Sequence, residues 1–175
     1  VPFGMLPYAS HSFWFNATYY LGFEDDYDAG IKSIYDDDSW NLQAAFYKNP
    51  EYIDSERYGR YSFDLVTDDL QGNQEINQFN IRSAYKWNIN EDLMMNLGLS
   101  LEAGQIYTKI TKEKGNSYAL ALHNNLFYKN WNIQLQWIGY EYHPKNNEEL
   151  TDKTMQFSGF MCLILESSNA EYTAF

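Results

Sequence analysis

The sequence has one cysteine, few cations and no long apolar run. Because Cys162 stands alone, a disulfide framework and a multi-cysteine metal site are both excluded. The 12 Lys and Arg residues are outnumbered by 24 Asp and Glu, and the formal charge of −12 argues against nucleic acid or anionic headgroups as partners. No apolar run reaches the roughly 18 residues that a transmembrane helix requires, so spanning helices are excluded.

Aromatic residues, by contrast, are abundant. They make up 18% of the chain, within an apolar fraction of 45%. This composition is compatible with a membrane location, because a spanning β-strand exposes only every second residue to lipid.

Apolar and polar residues alternate with a period of two in several segments, as they do in half-buried β-strands. The alternation is clearest at 13–24, 79–87, 93–104 and 131–138, and further strands are predicted near 28–36, 40–48, 117–129 and 154–161. Most of these are near the 9–11 residues that cross a bilayer at a tilt, whereas globular strands average about 5–6. With no helical stripe of comparable length, the chain is predicted to be all-β, with about eight strands.

The predicted connections are of two kinds. Those at 36–39, 88–92 and 129–130 are short turns, whereas 105–116 and 143–153 are long and polar. Outer-membrane barrels place short turns on the periplasmic side and long loops outside. If the sides alternate along the chain, everything from 48 to 77 counts as one external loop, folded inward to narrow a pore, although 61–67 looks strand-like.

Large aromatic residues flank the three short turns. They are Tyr35, Trp40, Tyr85, Trp87, Tyr128 and Trp131. Amphipathic rings prefer the level of the lipid headgroups, so this row indicates an interfacial girdle. The alternative is that the rings cap the core of a soluble sandwich.

Five short motifs carry a family resemblance. They are Val-Pro-Phe-Gly at 1–4, Ser-Phe-Trp-Phe-Asn at 12–16, Tyr-Tyr-Leu-Gly-Phe-Glu-Asp-Asp-Tyr-Asp at 19–28, Arg-Tyr-Ser-Phe-Asp at 60–64 and Asn-Gln-Phe-Asn at 77–80. Over Val1 to about Phe160 the chain resembles bacterial outer-membrane porins, and distantly the phosphate-selective porins among them. The resemblance implies an antiparallel transmembrane β-barrel of about sixteen strands, monomeric or trimeric, through which small solutes diffuse passively.

A barrel of that size needs roughly twice this length, so the chain is expected to be a fragment that forms a partial barrel. Residues 1–160 are assigned to the barrel. Residues 161–175, where the alternation ends, are interpreted as an atypical tail, truncated or non-native. Any export signal is expected upstream of Val1.

The polar side chains of the predicted strands are expected to line an aqueous lumen. Arg82 and Lys86 are the clearest pair of cations among them, and they form either a basic rung that attracts anions or a cross-strand pairing with Glu102. The predicted pore-lining residues are Asn16, Thr18, Tyr20, Glu24, Lys32, Gln43, Asn80, Arg82, Lys86, Asn96, Ser100, Glu102, His123, Asn125, Gln134 and Gln136.

The sequence contains no recognisable catalytic or metal-binding motif. The histidines His11, His123 and His143 are far apart and lack a metal-ligand spacing, and the acidic clusters are best explained as solvated turns. No nucleophile elbow or phosphate-binding loop occurs, and glycines on the polar face are expected to leave room for neighbouring side chains. No catalytic residue, metal or cofactor is therefore predicted.

The sequence thus favours a porin-type channel of the bacterial outer membrane, alone or as a homo-oligomer, with membrane lipid and small hydrophilic solutes as its partners. Two alternatives remain open. One is a soluble, aromatic-rich β-sandwich that binds carbohydrate. The other is a complete eight-stranded barrel, structural or adhesive, too narrow to conduct. A requirement for detergent separates the sandwich from the barrels.

Overall fold

The computed structural model describes residues 1–5, 29–49, 73–108, 111–129, 131–143, 145 and 155–167. These residues form one seven-stranded antiparallel sheet in which each strand pairs with the next along the chain. The strands are β1 (Ala29–Asp36), β2 (Trp40–Asn49), β3 (Asn73–Asn90), β4 (Leu93–Thr108), β5 (Glu113–Tyr128), β6 (Trp131–His143) and β7 (Met155–Ser167). Within the described ranges, no helix is long and apolar enough to cross a membrane.

The alternation in the sequence fixes two chemically different faces of this sheet. In β4, Leu99 is 42% exposed whereas its neighbour Ser100 is 0% exposed. Residues paired across neighbouring strands lie on the same face of the sheet. Ser100 therefore lies between Arg82 and Ala121 on one face, and Leu99 lies between Ser83 and Leu122 on the other. We call these the polar face and the apolar face.

The three predicted short turns are confirmed and lie together at one end of the sheet, the turn end. β1 and β2 are joined by 37–39, β3 and β4 by 91–92, and β5 and β6 by 129–130. Backbone hydrogen bonds tie these turns to their neighbours. Lys86 N in β3 donates to Ser39 O of the first turn at 2.7 Å, and Lys129 N of the third turn donates to Asp92 O of the second at 3.0 Å.

Asp37 organises the first of these turns. Its Oδ1 accepts hydrogen bonds from the backbone N–H groups of Ser39 and Trp40 at 2.8 and 2.7 Å, and its Oδ2 accepts one from the Tyr35 hydroxyl at 2.7 Å. These bonds, led by that from Trp40, hold the pKa of the Asp37 carboxyl below its usual value. An ionised Asp37 thus supplies the acceptors that this three-residue connection needs.

The prediction of a long loop at 105–116 is wrong. β4 continues to Thr108 and β5 already begins at Glu113, so the connection covers only 109–112. Ile106 pairs with Gly115 and Thr108 with Glu113, and both Ile106 and Thr108 are 1% exposed. The polar residues of this stretch predict a loop, but in the structure they complete the β-ladder.

The other two connections at this opposite end, the loop end, are long. They run over 50–72 and 144–154. β3 begins before the predicted position 79, and the strand bulges where Asn77, at φ 50°, interrupts the register between Ile76 and Phe79. The strand-like stretch 61–67 lies outside the described residues.

The predicted strands 28–36, 40–48, 79–87, 93–104, 117–129, 131–138 and 154–161 all correspond to strands of the sheet, and the all-β antiparallel prediction is confirmed. The eighth predicted strand, 13–24, lies outside the described residues. β7 crosses position 160 and stays paired with β6 as far as Ser167, with a bulge between the pairs Ile138–Phe160 and Gly139–Ser158. Among the described residues β1 and β7 do not pair, so the sheet is not closed.

Candidate functional site

The polar face gathers every predicted pore-lining residue that the structure describes. Twelve of the sixteen are described, and the register places all of them on this face. Buried are Gln43, Asn80, Arg82, Ser100, Glu102, His123 and Gln136; half-buried are Asn96, Asn125 and Gln134; exposed are Lys32 and Lys86. The other four, Asn16, Thr18, Tyr20 and Glu24, lie outside the described residues.

Arg82 is the centre of the polar face. It is 2% exposed, and within the described part of the chain its guanidinium reaches Gly4, Asn41 and His123. Nε donates to Gly4 O at 2.8 Å, Nη1 donates to Asn41 Oδ1 at 2.7 Å, and Nη2 lies 3.3 Å from His123 Nε2. A buried guanidinium is tolerated where its donors are satisfied, and here they link β2, β3 and β5 to residues 1–5.

His123 lies beside Arg82 because its cross-strand neighbour is a glycine. Gly98 pairs with His123, and a Cβ placed on Gly98 would fall within the imidazole ring. Since a guanidinium only donates, His123 Nε2 must accept, which assigns the ring proton to Nδ1. The expectation that polar-face glycines make room for neighbouring side chains is confirmed at Gly98.

Arg82 and Lys86 occupy different environments, although the sequence pairs them on one face. Arg82 is buried within its hydrogen bonds, whereas Lys86 is exposed and lies toward the turn end opposite Asn96. Glu102 is 4% exposed and accepts a hydrogen bond from Asn80 Nδ2 at 2.9 Å. Only Lys86 of the two cations offers its charge to solvent.

A short segment that the sequence does not identify as part of the site lies on the polar face. In this segment, residues 1–5, the backbone N–H of Gly4 donates to Ser100 Oγ at 3.1 Å and that of Met5 donates to Gln136 Oε1 at 2.9 Å. Phe3 is 0% exposed and packs with Ala119, Ala121 and Ile138. The only sequence signal was the turn-forming Pro2 and Gly4 on either side of an apolar ring.

The apolar face carries large side chains that nothing among the described residues covers. Ten of them occupy the middle of the strands at 37% to 79% exposure: Ile31, Leu42, Phe46, Phe79, Ile81, Leu97, Leu99, Leu101, Leu122 and Leu135. Soluble proteins normally expose large apolar side chains singly and not as a continuous face. A face of this kind indicates contact with another apolar phase or surface.

Aromatic rings mark the turn end of the apolar face, as predicted. Trp40 and Tyr85 form a cross-strand pair with ring centroids 4.7 Å apart, and Tyr128 pairs with Trp131. Lys129 places its Nζ 5.5 Å from the centroid of the Tyr128 ring. The turn end of the apolar face therefore carries amphipathic rings together with a cation.

Among the residues that the structure describes, no three His, Cys, Asp or Glu side chains are grouped as metal ligands would be. The chain matches no protein-family model, no curated protein sequence and no solved structure.

Proposed function

We propose that this chain forms part of the wall of a bacterial outer-membrane β-barrel, and that the barrel is a porin-type channel for passive diffusion of small hydrophilic solutes or ions. The observation that carries the proposal is the inverted distribution of polarity. Leu97, Leu99 and Leu101 are each more than 40% exposed, whereas Arg82 and Glu102 are under 5% exposed. A soluble sheet buries its apolar side, but a barrel wall presents that side to lipid.

The dimensions of the apolar face support a membrane-spanning wall. Tyr118 and Tyr128 are 48% and 45% exposed on this face and mark its two ends in β5. They are ten residues apart, which at about 3.3 Å per residue is about 33 Å along the strand. At a tilt of about 40° this becomes about 25 Å, the usual height of the apolar band of an outer-membrane barrel.

Polar atoms without a protein partner on the polar face support an aqueous lumen. Among the described residues, eight buried side-chain polar atoms have no hydrogen-bond partner in the protein, and seven of them lie on this face. They include Gln43 Oε1, Asn80 Oδ1, Asn96 Oδ1 and Asn125 Oδ1. Buried acceptors of this kind are normally satisfied by water, so the polar face is suited to contact with an aqueous path.

The soluble sandwich is less consistent with these features. A sandwich needs a second sheet against its apolar face, but the described strands form a single sheet, and segment 1–5 packs on the opposite, polar face. The carbohydrate-binding function would also require the aromatic rings to face a solvated cleft rather than a continuous apolar surface.

Reconstitution tests the proposal directly. The protein that carries this sequence should require detergent for solubility and, in a planar bilayer, should give stepwise ionic currents. Solubility without detergent would refute the membrane location. Stable insertion with no current under any voltage would refute the channel and favour the narrow structural barrel.

A further inference from the structure

Segment 1–5 crosses the polar face at half the height of the strands. Its contact Ser100 is the eighth residue of the 16-residue β4, and Ala121, which packs with Phe3, is the ninth residue of the 16-residue β5. Arg82, which binds Gly4 O, is the tenth residue of the 18-residue β3. In a barrel, this level is the middle of the lumen.

Two backbone N–H groups of the segment are satisfied by the wall and one by the segment itself. Phe3 N donates to Val1 O at 3.1 Å, Gly4 N to Ser100 Oγ at 3.1 Å, and Met5 N to Gln136 Oε1 at 2.9 Å. Because Pro2 has no N–H, every amide donor of residues 2–5 has a partner. These bonds fix the position of the segment on the wall.

Gly4 is essential to this geometry. Its φ of 72° lies in the left-handed region, which glycine adopts without steric cost. This conformation turns its N–H toward Ser100 while its carbonyl oxygen accepts from Arg82. The side chains of β3 and β4 therefore bind one residue of the segment from two directions.

Phe3 anchors the segment through apolar packing in the middle of the polar face. It contacts Ala119, Ala121 and Ile138, and none of these four side chains is more than 6% exposed. The two alanines leave the space that the ring fills. A polar lumen wall has no need of such a patch, but a segment that must stay docked does.

We propose that segment 1–5 is a fixed element inside the pore that sets the size limit for solutes, and that Phe3, Arg82, Ser100 and Gln136 hold it there. This inference rests on the proposed channel function and deepens it. Three residues predicted to line the lumen, Arg82, Ser100 and Gln136, thereby act by positioning the segment. Residues 2–5 are themselves buried, so the segment narrows the lumen by the volume that it fills against the wall.

The test uses the full protein with Cys162→Ser, which removes the only native thiol. Ser100→Cys reports whether the segment covers the wall, and Lys86→Cys is an exposed site on the same face. A charged, water-soluble thiol reagent should label Lys86→Cys quickly and Ser100→Cys slowly. Adding Phe3→Ser should speed the labelling of Ser100→Cys and, in liposome-swelling assays, admit larger sugars.

Phe127→Ser is the matched control, because Phe127 lies on the same face six residues along β5 from Ala121. It should change neither the labelling rate of Ser100→Cys nor the size of the sugars that enter. If Phe3→Ser does not assemble, Gln136→Ala, which removes the acceptor for Met5 N, serves in its place.

Two results would overturn the inference while leaving the channel intact. One is fast labelling of Ser100→Cys with Phe3 present, and the other is a released segment with an unchanged size limit. If no variant admits any solute, the channel itself fails and this inference with it, while the labelling pattern still reports whether the segment is docked.

Discussion

The guanidinium of Arg82 donates through Nε to the carbonyl oxygen of Gly4 at 2.8 Å, across 78 positions of sequence. The same group donates to Asn41 Oδ1. This cation of the polar face is therefore a structural tie between segment 1–5, β2 and β3. A charge facing an open lumen would instead be solvated, as Lys86 is.

Arg82→Met should destabilise the protein, because it leaves the buried Gly4 O without this donor. Asn41 Oδ1 keeps its hydrogen bond from Gln43 Nε2 at 2.8 Å. A buried acceptor that loses its donor costs about 1–3 kcal/mol. Lys86→Met, four residues along the same face, should change the free energy of unfolding by less than about 0.5 kcal/mol. Urea unfolding in lipid vesicles measures both values, and equal losses would contradict the buried role of Arg82.

Gly98→Ala should be damaging because its methyl group would overlap the His123 ring. Overpacking of this kind costs about 1–3 kcal/mol. Removing the ring relieves the overlap, so the double variant Gly98→Ala, His123→Ala should be more stable than the sum of the single effects predicts, with a coupling of about 0.5–3 kcal/mol. The quantity to measure is the free energy of unfolding of all four members of the cycle.

Gly104→Ala is the control for Gly98→Ala. The one short contact of a Cβ at Gly104 would be with the Ser117 hydroxyl, at 2.8 Å, and that group can rotate away. Its contacts with Gln78, at 3.7 Å, would be ordinary van der Waals contacts. A smaller cost is therefore expected. Additive effects in the Gly98 and His123 cycle would mean that the imidazole does not occupy the space above the glycine.

Much of the fold follows from the sequence, because the side-chain period of a strand is two. Once Leu99 is apolar and exposed, Ser100 must lie on the other face, and pairing transmits that assignment to Arg82 and Ala121. The three short turns follow similarly from clusters such as the one around Asp37. These features depend on local chemistry, which a single sequence records.

Other features depend on distant contacts and leave no local pattern. The hydrogen bonds of segment 1–5 join residues 78, 96 and 131 positions apart. Burial of Arg82 could not be inferred, since the sequence assigns the face of a residue and not what covers it. The extension of β4 to Thr108 could not be predicted from residue polarity, because backbone hydrogen bonds between strands form whatever side chains the strands carry.

Leu99→Arg should cost about 2–4 kcal/mol if the apolar face meets lipid, because this position lies at mid-strand. Leu93→Arg, on the same face but at the turn end beside Tyr128, should cost only about 0–1 kcal/mol, since arginine there reaches the interface. Unfolding of both variants in vesicles gives the comparison. If the two costs are equal and small, Leu99 faces water, and the membrane proposal is wrong.

Lys86→Glu should shift the ion preference of the reconstituted channel toward cations. Lys86 is exposed on the polar face, and a charge in a confined aqueous path raises the local concentration of counter-ions. Lys114→Glu makes the same charge change on the apolar face near the loop end, where it should leave the preference unaltered. The shift should shrink as salt rises, since the Debye length falls from about 10 Å at 0.1 M to about 3 Å at 1 M. Reversal potentials in a salt gradient measure the effect, and equal shifts for the two variants would place Lys86 outside the lumen.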